Sequence, residues 1–145
     1  MKSNFIKHYR LCRNAMNFNP ISPHFGSNAR RNPLIFRSVF GPIPLRYTED
    51  YEAGLIGQKK LSLGEGMLIQ FPSVRFWSAH SIGVPYPIEV ICLAPGNIVV
   101  DIINLPEHST AKRSRVPCDR FLELNKGMVN KLGINIGDKL DIEYA

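Results

Sequence analysis

Hydrophobic residues along most of the chain recur in short runs, a pattern typical of β-strands rather than of long helices. Gly, Pro, Asn or Asp bounds most of these runs, and these residues favour turns. The two runs on either side of Pro95-Gly96-Asn97 predict a β-hairpin. The whole pattern predicts strands at 34–40, 67–71, 88–93, 98–103, 120–124 and 136–144, with another beginning at 76–78.

A first short helix is predicted after residue 48. Thr48 can cap it, and Glu49 and Asp50 would lie in its first turn, where the helix dipole favours acidic side chains. Gly54 and Gly57 would end this helix, since glycine opposes helix continuation.

A second short helix is predicted between the last two strands. Asn125 can cap it, Met128 and Leu132 would share its apolar side, and Gly133 would end it. The predicted fold class is therefore α+β and β-rich, with two short helices.

Charge divides the chain into two parts. Residues 1–46 hold eight basic and no acidic residues, a net charge of +8, whereas residues 47–145 hold ten basic and twelve acidic residues, a net charge of −2. Such asymmetry is typical of a basic arm attached to a nearly neutral domain. We therefore predict an extended arm with the first strand at 1–46 and a globular domain at 47–145.

The arm holds too few apolar residues to fold alone, but its spaced aromatic rings favour docking on a partner. A transit peptide or a plain solvated tail remains an alternative, because transit peptides are also basic and poor in acids. The predicted partner-binding residues are Phe5, Tyr9, Arg10, Arg13, Phe18, Phe25, Arg30, Arg31 and Phe36.

Other targeting and cofactor signals are weak. The N-terminus lacks the apolar stretch of a secretory signal, and no run approaches the ~20 apolar residues of a membrane span. Three widely spaced cysteines form no CxxC pair, so neither a zinc knuckle nor a redox dithiol is predicted. We predict no cofactor, no metal, no membrane partner, and a location in the cytoplasm or in a virus particle.

Four segments of the chain, in the order in which they occur, resemble a known family, the domain of unknown function 192. They are GLIGQKKLSLGEGMLIQFP, FWSAHSI, PIEVICL and FLELNKGMVNKLGINIGDKLDI, and they span about residues 47–145. The family pattern has Met, Asn-Thr and Asp where this chain has Ser78, His80-Ser81 and Glu89. It also has Arg where this chain has Gln58. The resemblance implies no settled activity.

The C-terminal Gly-Asp box in this resemblance looks like the boxes of small cradle-loop barrels, where the box is structural. Gly133 and Gly137 permit turn geometry, and Asp138 can accept backbone N–H groups. We therefore expect a small barrel-like domain in which Asp138 closes a turn.

Polar residues between 77 and 89 form the candidate ligand site. A Ser–His–carboxylate set can perform acyl transfer, but no Gly-x-Ser-x-Gly elbow accompanies it here. A polar seam that satisfies buried backbone, or a weak ligand site, fits better. The weak candidates are Trp77, Ser78, His80, Ser81 and Glu89, and no catalytic residue is assigned.

The leading functional prediction is a non-enzymatic structural or interaction protein whose basic arm docks a small β domain onto a larger assembly. A small-ligand module or hydrolase-like enzyme that uses His80 and Glu89 is one alternative. A nucleic-acid-associated accessory protein is another, because a basic arm can contact phosphates.

Overall fold

The computed structural model describes residues 34–144, which form nine strands and one helix. In chain order they are β1 (Leu34–Ser38), β2 (Gly41–Thr48), β3 (Gly66–Arg75), β4 (Ser78–Ala79), β5 (Ile88–Ala94), β6 (Ile98–Leu105), β7 (Lys112–Arg113), β8 (Cys118–Asn125), α1 (Met128–Leu132) and β9 (Ile142–Tyr144). The predicted β-rich character is confirmed, and helix is limited in these residues to the five of α1.

Seven strands form one sheet in the order β6-β5-β8-β3-β2-β1-β9, and β4 pairs with β7 in a separate two-stranded sheet. Neighbouring strands are antiparallel except β2 and β3, which are parallel. The predicted hairpin is confirmed as β5–β6. Its turn uses Gly96 (φ 86°) and Asn97 (φ 62°), the residue types that best tolerate positive φ.

The segment between β2 and β3 forms successive turns, so the predicted first helix is wrong. Thr48 Oγ1 accepts the Asp50 N–H at 3.0 Å, and Asp50 Oδ1 accepts the Ala53 N–H at 3.2 Å. One i→i+4 bond follows, from the Gly54 N–H to the Asp50 carbonyl at 3.1 Å, but the later backbone bonds span only three residues. Gly54 (φ 49°) and Gly57 (φ 73°) then turn the chain out of helical geometry.

The predicted second helix exists, but Asn125 does not cap it. The cap position is Gly127 at φ 91°, with no side-chain capping bond. The Asn125 side-chain amide instead donates to the Leu61 carbonyl at 2.8 Å and to the Ser62 carbonyl at 3.0 Å. Asn125 therefore ties the end of β8 to the crossover between β2 and β3.

The large sheet is covered by a hydrophobic cluster on each face. Side chains alternate across a strand, so Phe121 belongs to one cluster while Leu122 and Leu124 belong to the other, beside α1. β5 is buried on both faces, which explains its apolar run from Val90 to Ala94.

Between residues 34 and 144 the large sheet does not close into the predicted barrel. The predicted last strand is also shorter, since only 142–144 pair as β9. The segment before β9 reaches β6 through one isolated bridge between Ile98 and Lys139 and through backbone hydrogen bonds such as Gly137 N–H to Val99 O at 2.7 Å. Asp138 Oδ2 accepts the Asn135 N–H at 2.8 Å within this turn.

The predicted boundary between arm and domain falls inside β2, so 34–46 belong to the sheet. Phe36 is only 4% exposed and packs in the cluster beside α1. The expectation that Phe36 faces a partner is therefore wrong, because its ring fills the protein's own core. The other predicted anchors lie outside the described residues: Phe5, Tyr9, Arg10, Arg13, Phe18, Phe25, Arg30 and Arg31.

Candidate functional site

The five seam residues lie on different elements. Trp77 follows β3, Ser78 lies in β4, His80 and Ser81 follow β4, and Glu89 lies in β5. Ser78 is exposed and pairs with Arg113 across the small sheet, whereas His80 is half-buried. The hydrogen bonds and ring contacts of Ser81, Glu89 and Trp77 show which parts of the fold these residues hold together.

Ser81 is fully buried and fastens the loop between β6 and β7. Its Oγ donates to the Pro106 carbonyl at 2.5 Å and accepts the Ser109 N–H at 2.8 Å. Its own N–H donates to the Ser109 carbonyl at 3.1 Å. Because the hydroxyl proton is held by a carbonyl, Ser81 is arranged as a structural bridge rather than as a nucleophile.

Glu89 is 9% exposed, and its carboxylate caps α1. Its Oε1 accepts the Val129 backbone N–H at 3.0 Å, in the first turn of α1. This bond supplies the capping acceptor that Gly127 lacks, and a carboxylate at a helix N-terminus is also favoured by the helix dipole. For Glu89 to act in hydrolysis, its carboxylate would first have to break its hydrogen bond with the Val129 N–H.

Trp77 packs within an aromatic group. Its ring stacks on Phe71 with centroids 4.3 Å apart and planes at 11°, and Tyr51 lies 5.2 Å away. The indole N–H donates to the Ser73 carbonyl at 2.9 Å. Phe71 also meets Phe121 edge-on at 4.7 Å, so the group is continuous with the core.

Glu123 is a buried acid that the sequence analysis did not select. It lies in β8 between Met67 of β3 and Val90 of β5. Burial raises the pKa of its carboxyl to about 8. Its Oε2 has no hydrogen-bond partner among residues 34–144. The signal in the sequence is its position within Phe-Leu-Glu-Leu, where apolar neighbours indicate burial on both faces.

Asp101 is a second buried acid, and it pairs with Arg115. The Arg115 Nη2 lies 2.5 Å from Asp101 Oδ1, and the Arg115 backbone N–H donates to Oδ2 at 2.9 Å. Burial alone would raise the pKa of Asp101, but hydrogen bonds from Arg115 and Ile102 outweigh it and hold the pKa below its usual value. The pair fixes the loop before β8 to β6.

Two cysteine thiols are buried in the hydrophobic cluster that contains Phe121. Cys92 and Cys118 are both 0% exposed, and Cys118 Sγ lies 3.8 Å from Ser114 Oγ. A hydrogen bond with Cys118, followed by burial, raises the pKa of the Cys92 thiol. At this position the Cys92 side chain acts as a small buried hydrophobe.

A cleft of about 400 Å³ opens beside the seam. It lies where β5 begins and β6 ends, and the Lys112 ammonium reaches the Asn104 carbonyl at 2.9 Å there. None of the five seam residues lines it. The lining residues are Pro87, Ile88, Asn104, Leu105, Pro106, Glu107, Lys112 and Lys126.

Within residues 34–144, no three His, Cys, Asp or Glu side chains come together as a metal site. The helix in this part of the chain is too short and too polar to cross a membrane.

Comparison with known proteins identifies a family and two similar structures. A family model described as an uncharacterized ACR, the domain of unknown function 192, matches residues 46–142. This confirms the resemblance read from the sequence, and residues before 46 lie outside the match. No curated protein matches the chain.

A structure from Sinorhizobium meliloti 1021, described as a "putative transcription regulator", is 25% identical with a TM-score of 0.64. The match covers 77% of this chain and 93% of that one. A protein of unknown function from Novosphingobium aromaticivorans is 23% identical with a TM-score of 0.63, and the match covers 75% and 83% of the two chains. The second likeness concerns the fold alone.

Proposed function

We propose that this chain, which belongs to the domain of unknown function 192 family through residues 46–142, is a non-enzymatic interaction protein. Its small β body is held on a larger assembly, such as a virus particle or another multi-subunit complex, by the basic N-terminal segment. The observation that carries the proposal is that Ser81 and Glu89 hold loop and helix backbone. These bonds support a structural role for the residues that would otherwise suggest catalysis.

Charge supports the docking half of the proposal. The first 46 residues carry eight cations and no acid, while the rest of the chain is slightly acidic. Arginine forms bidentate, charge-assisted hydrogen bonds, and aromatic rings and arginine are the commonest hot-spot residues of protein interfaces. The proposed anchors outside the described residues are Phe5, Tyr9, Arg10, Arg13, Phe18, Phe25, Arg30 and Arg31.

The test uses the full chain, tagged at its C-terminus and expressed in its own cells. One variant replaces Arg10, Arg13, Arg30 and Arg31 with Gln. The matched control replaces four exposed body lysines with Gln and so removes the same charge. They are Lys59, Lys126, Lys131 and Lys139.

Sedimentation of the cell extract measures association. The wild-type chain and the lysine control should sediment with a large complex, while the arginine variant sediments as a free chain of 16.4 kDa plus the mass of its tag. Equal sedimentation of all three proteins contradicts the proposal. Mass spectrometry of the recovered chain adds a second check, since removal of residues 1–33 in the cell would support the transit-peptide alternative instead.

A nucleic-acid-associated accessory protein is the second candidate. It is favoured by the basic N-terminal segment and by the 25% identical structure described as a "putative transcription regulator". Phosphate contacts make affinity fall steeply with salt. Binding of the full chain to nucleic acid with such a salt dependence supports this candidate, and no binding at low salt contradicts it.

A further inference from the structure

The cleft of about 400 Å³ beside the seam has an apolar floor that rests on paired strands. Ile88 of β5 is the ladder partner of Leu105 in β6 and of Asn125 in β8. Ile88 and Leu105 line the cleft and are each 1% exposed. The exposed rings of Pro87 and Pro106 add to this apolar lining. The floor is therefore held by strand pairing and does not depend on a loop.

The loop after β6 forms one wall of the cleft, and hydrogen bonds fix it on both sides of Glu107. The Pro106 carbonyl accepts the Ser81 Oγ–H at 2.5 Å. The His108 N–H donates to the Val84 carbonyl at 3.1 Å. Both bonds fasten the loop to the segment after β4, so the cleft is already formed without a ligand. A site formed in advance loses little conformational entropy on binding.

Three charged side chains line the cleft: Lys112, Lys126 and Glu107. None of the three forms an ion pair with another residue between 34 and 144. The Lys112 ammonium donates one N–H to the Asn104 carbonyl at 2.9 Å, which leaves two N–H groups for a ligand. The Lys126 backbone N–H donates to the Pro87 carbonyl at 3.4 Å, so its residue is tied to the start of β5. Two cations and one acid give the cleft a net charge of +1.

This combination of lining residues matches the chemistry of a small organic anion. Ligand sites of about 300–1,000 Å³ are mostly apolar and carry a few polar groups that orient the ligand. Unpaired ammonium groups at the edge of an apolar cleft favour a carboxylate, which can accept hydrogen bonds from both. The Glu107 carboxylate would repel a ligand with several negative charges. The net charge therefore favours a ligand that carries one negative charge and an apolar body.

We propose that this cleft binds a small monocarboxylate with a hydrocarbon chain. The carboxylate contacts the ammonium groups of Lys112 and Lys126, and the chain lies against Ile88 and Leu105. The site involves neither the basic N-terminal segment nor the five seam residues. It is therefore independent of the proposed docking function, and each can fail without the other.

The test follows backbone amide shifts of the full chain by ¹H–¹⁵N NMR at constant ionic strength. The probes are acetate, butyrate and hexanoate, which share one charge and differ in chain length, and 1-hexanol, which has the longest chain without the charge. The variants are Lys112→Gln, Lys126→Gln and Glu107→Gln. The controls are Lys131→Gln and Asp141→Asn, which remove an exposed cation and an exposed acid outside the cleft.

Hexanoate should shift the amides of Ile88, Leu105 and Lys126 and saturate. Affinity should rise from acetate to hexanoate by up to about fourfold for each added methylene, the value for full burial. Lys112→Gln and Lys126→Gln should each weaken hexanoate binding by about two- to fivefold, because each removes one attractive charge at an exposed site. Glu107→Gln should tighten binding by a similar factor, since it removes a repulsive charge. Both controls should bind as the wild type does.

Three results would overturn the proposal. Without a saturable shift at the cleft amides, the cleft is no carboxylate site. If the three variants bind hexanoate as the wild type does, the charges of the cleft do not contact the ligand. If 1-hexanol or acetate binds as tightly as hexanoate, the cleft does not combine recognition of a charge with recognition of a chain. None of these results affects association through the N-terminal segment, which sedimentation tests separately.

Discussion

The Glu89 carboxylate accepts the Val129 backbone N–H at 3.0 Å, so a side chain from β5 caps the only helix between residues 34 and 144. Glu89→Ala should lower the free energy of unfolding by about 1.5–3 kcal/mol, because a hydrogen bond to a charged group is lost. Urea unfolding near neutral pH measures the effect. Glu107→Ala, which removes an exposed acid, is the matched control and should change stability by less than about 0.5 kcal/mol. Equal effects of the two variants would contradict the capping role.

Ser81 and Ser78 provide a second matched pair. Ser81→Ala should destabilise the protein by about 1–3 kcal/mol, because the part-buried Ser109 N–H and Pro106 carbonyl lose the Ser81 hydroxyl as their partner. Ser78→Ala at the exposed position should have little effect. Thermal unfolding of the two variants makes the comparison. An equally stable Ser81→Ala variant would remove the structural interpretation of the seam.

Phe36 and Phe40 lie four residues apart but in opposite environments, 4% and 71% exposed. Phe36→Ala should cost about 3–5 kcal/mol because it leaves a cavity in the cluster beside α1. Phe40→Ala should leave stability nearly unchanged. Denaturant midpoints with equal slopes would show that the difference is one of stability alone. A mild effect of Phe36→Ala would mean that its ring does not belong to the core.

Glu123 should make stability depend on pH. Its pKa is about 8 in the folded state, against an ordinary value of 4.5, so the folded protein keeps a proton that the unfolded chain has lost between those values. The stabilising contribution is complete below about pH 4.5 and is lost as pH rises to about 8, with a slope of up to about 1.4 kcal/mol per pH unit.

Glu123→Gln isolates this contribution. The variant should lose that pH-dependent contribution, so the difference in unfolding free energy between wild type and variant should shift in favour of the variant as pH rises from about 5 to about 8. Urea titrations across this range measure the difference, in which the other titrating groups largely cancel. A difference that stays constant with pH would show that Glu123 titrates normally.

Local features were predictable from the sequence. The β5–β6 hairpin and α1 follow from turn residues and apolar spacing within a few positions. The turns after Thr48 were mistaken for a helix because the same Thr and Asp that cap helices also form local turns.

Relationships between distant residues could not be predicted in this way. Glu89 and Val129 are 40 residues apart in sequence, and no local pattern indicates that they meet. The parallel pairing of β2 with β3 and the open end of the sheet likewise depend on how remote strands associate. The burial of Phe36 could not be predicted either, because Phe36 continues the series of spaced aromatic residues in the basic segment before it.

The pairing of β1 with β9 has a consequence for biosynthesis. Arg37 and Glu143, which form an ion pair beside this ladder, are 106 residues apart in sequence. While the ribosome is still making the intervening chain, the outer edge of β1 has no strand to cover it. The nascent protein thus leaves the backbone groups of this edge without a strand partner until Ile142–Tyr144 have been made, and an open strand edge favours aggregation.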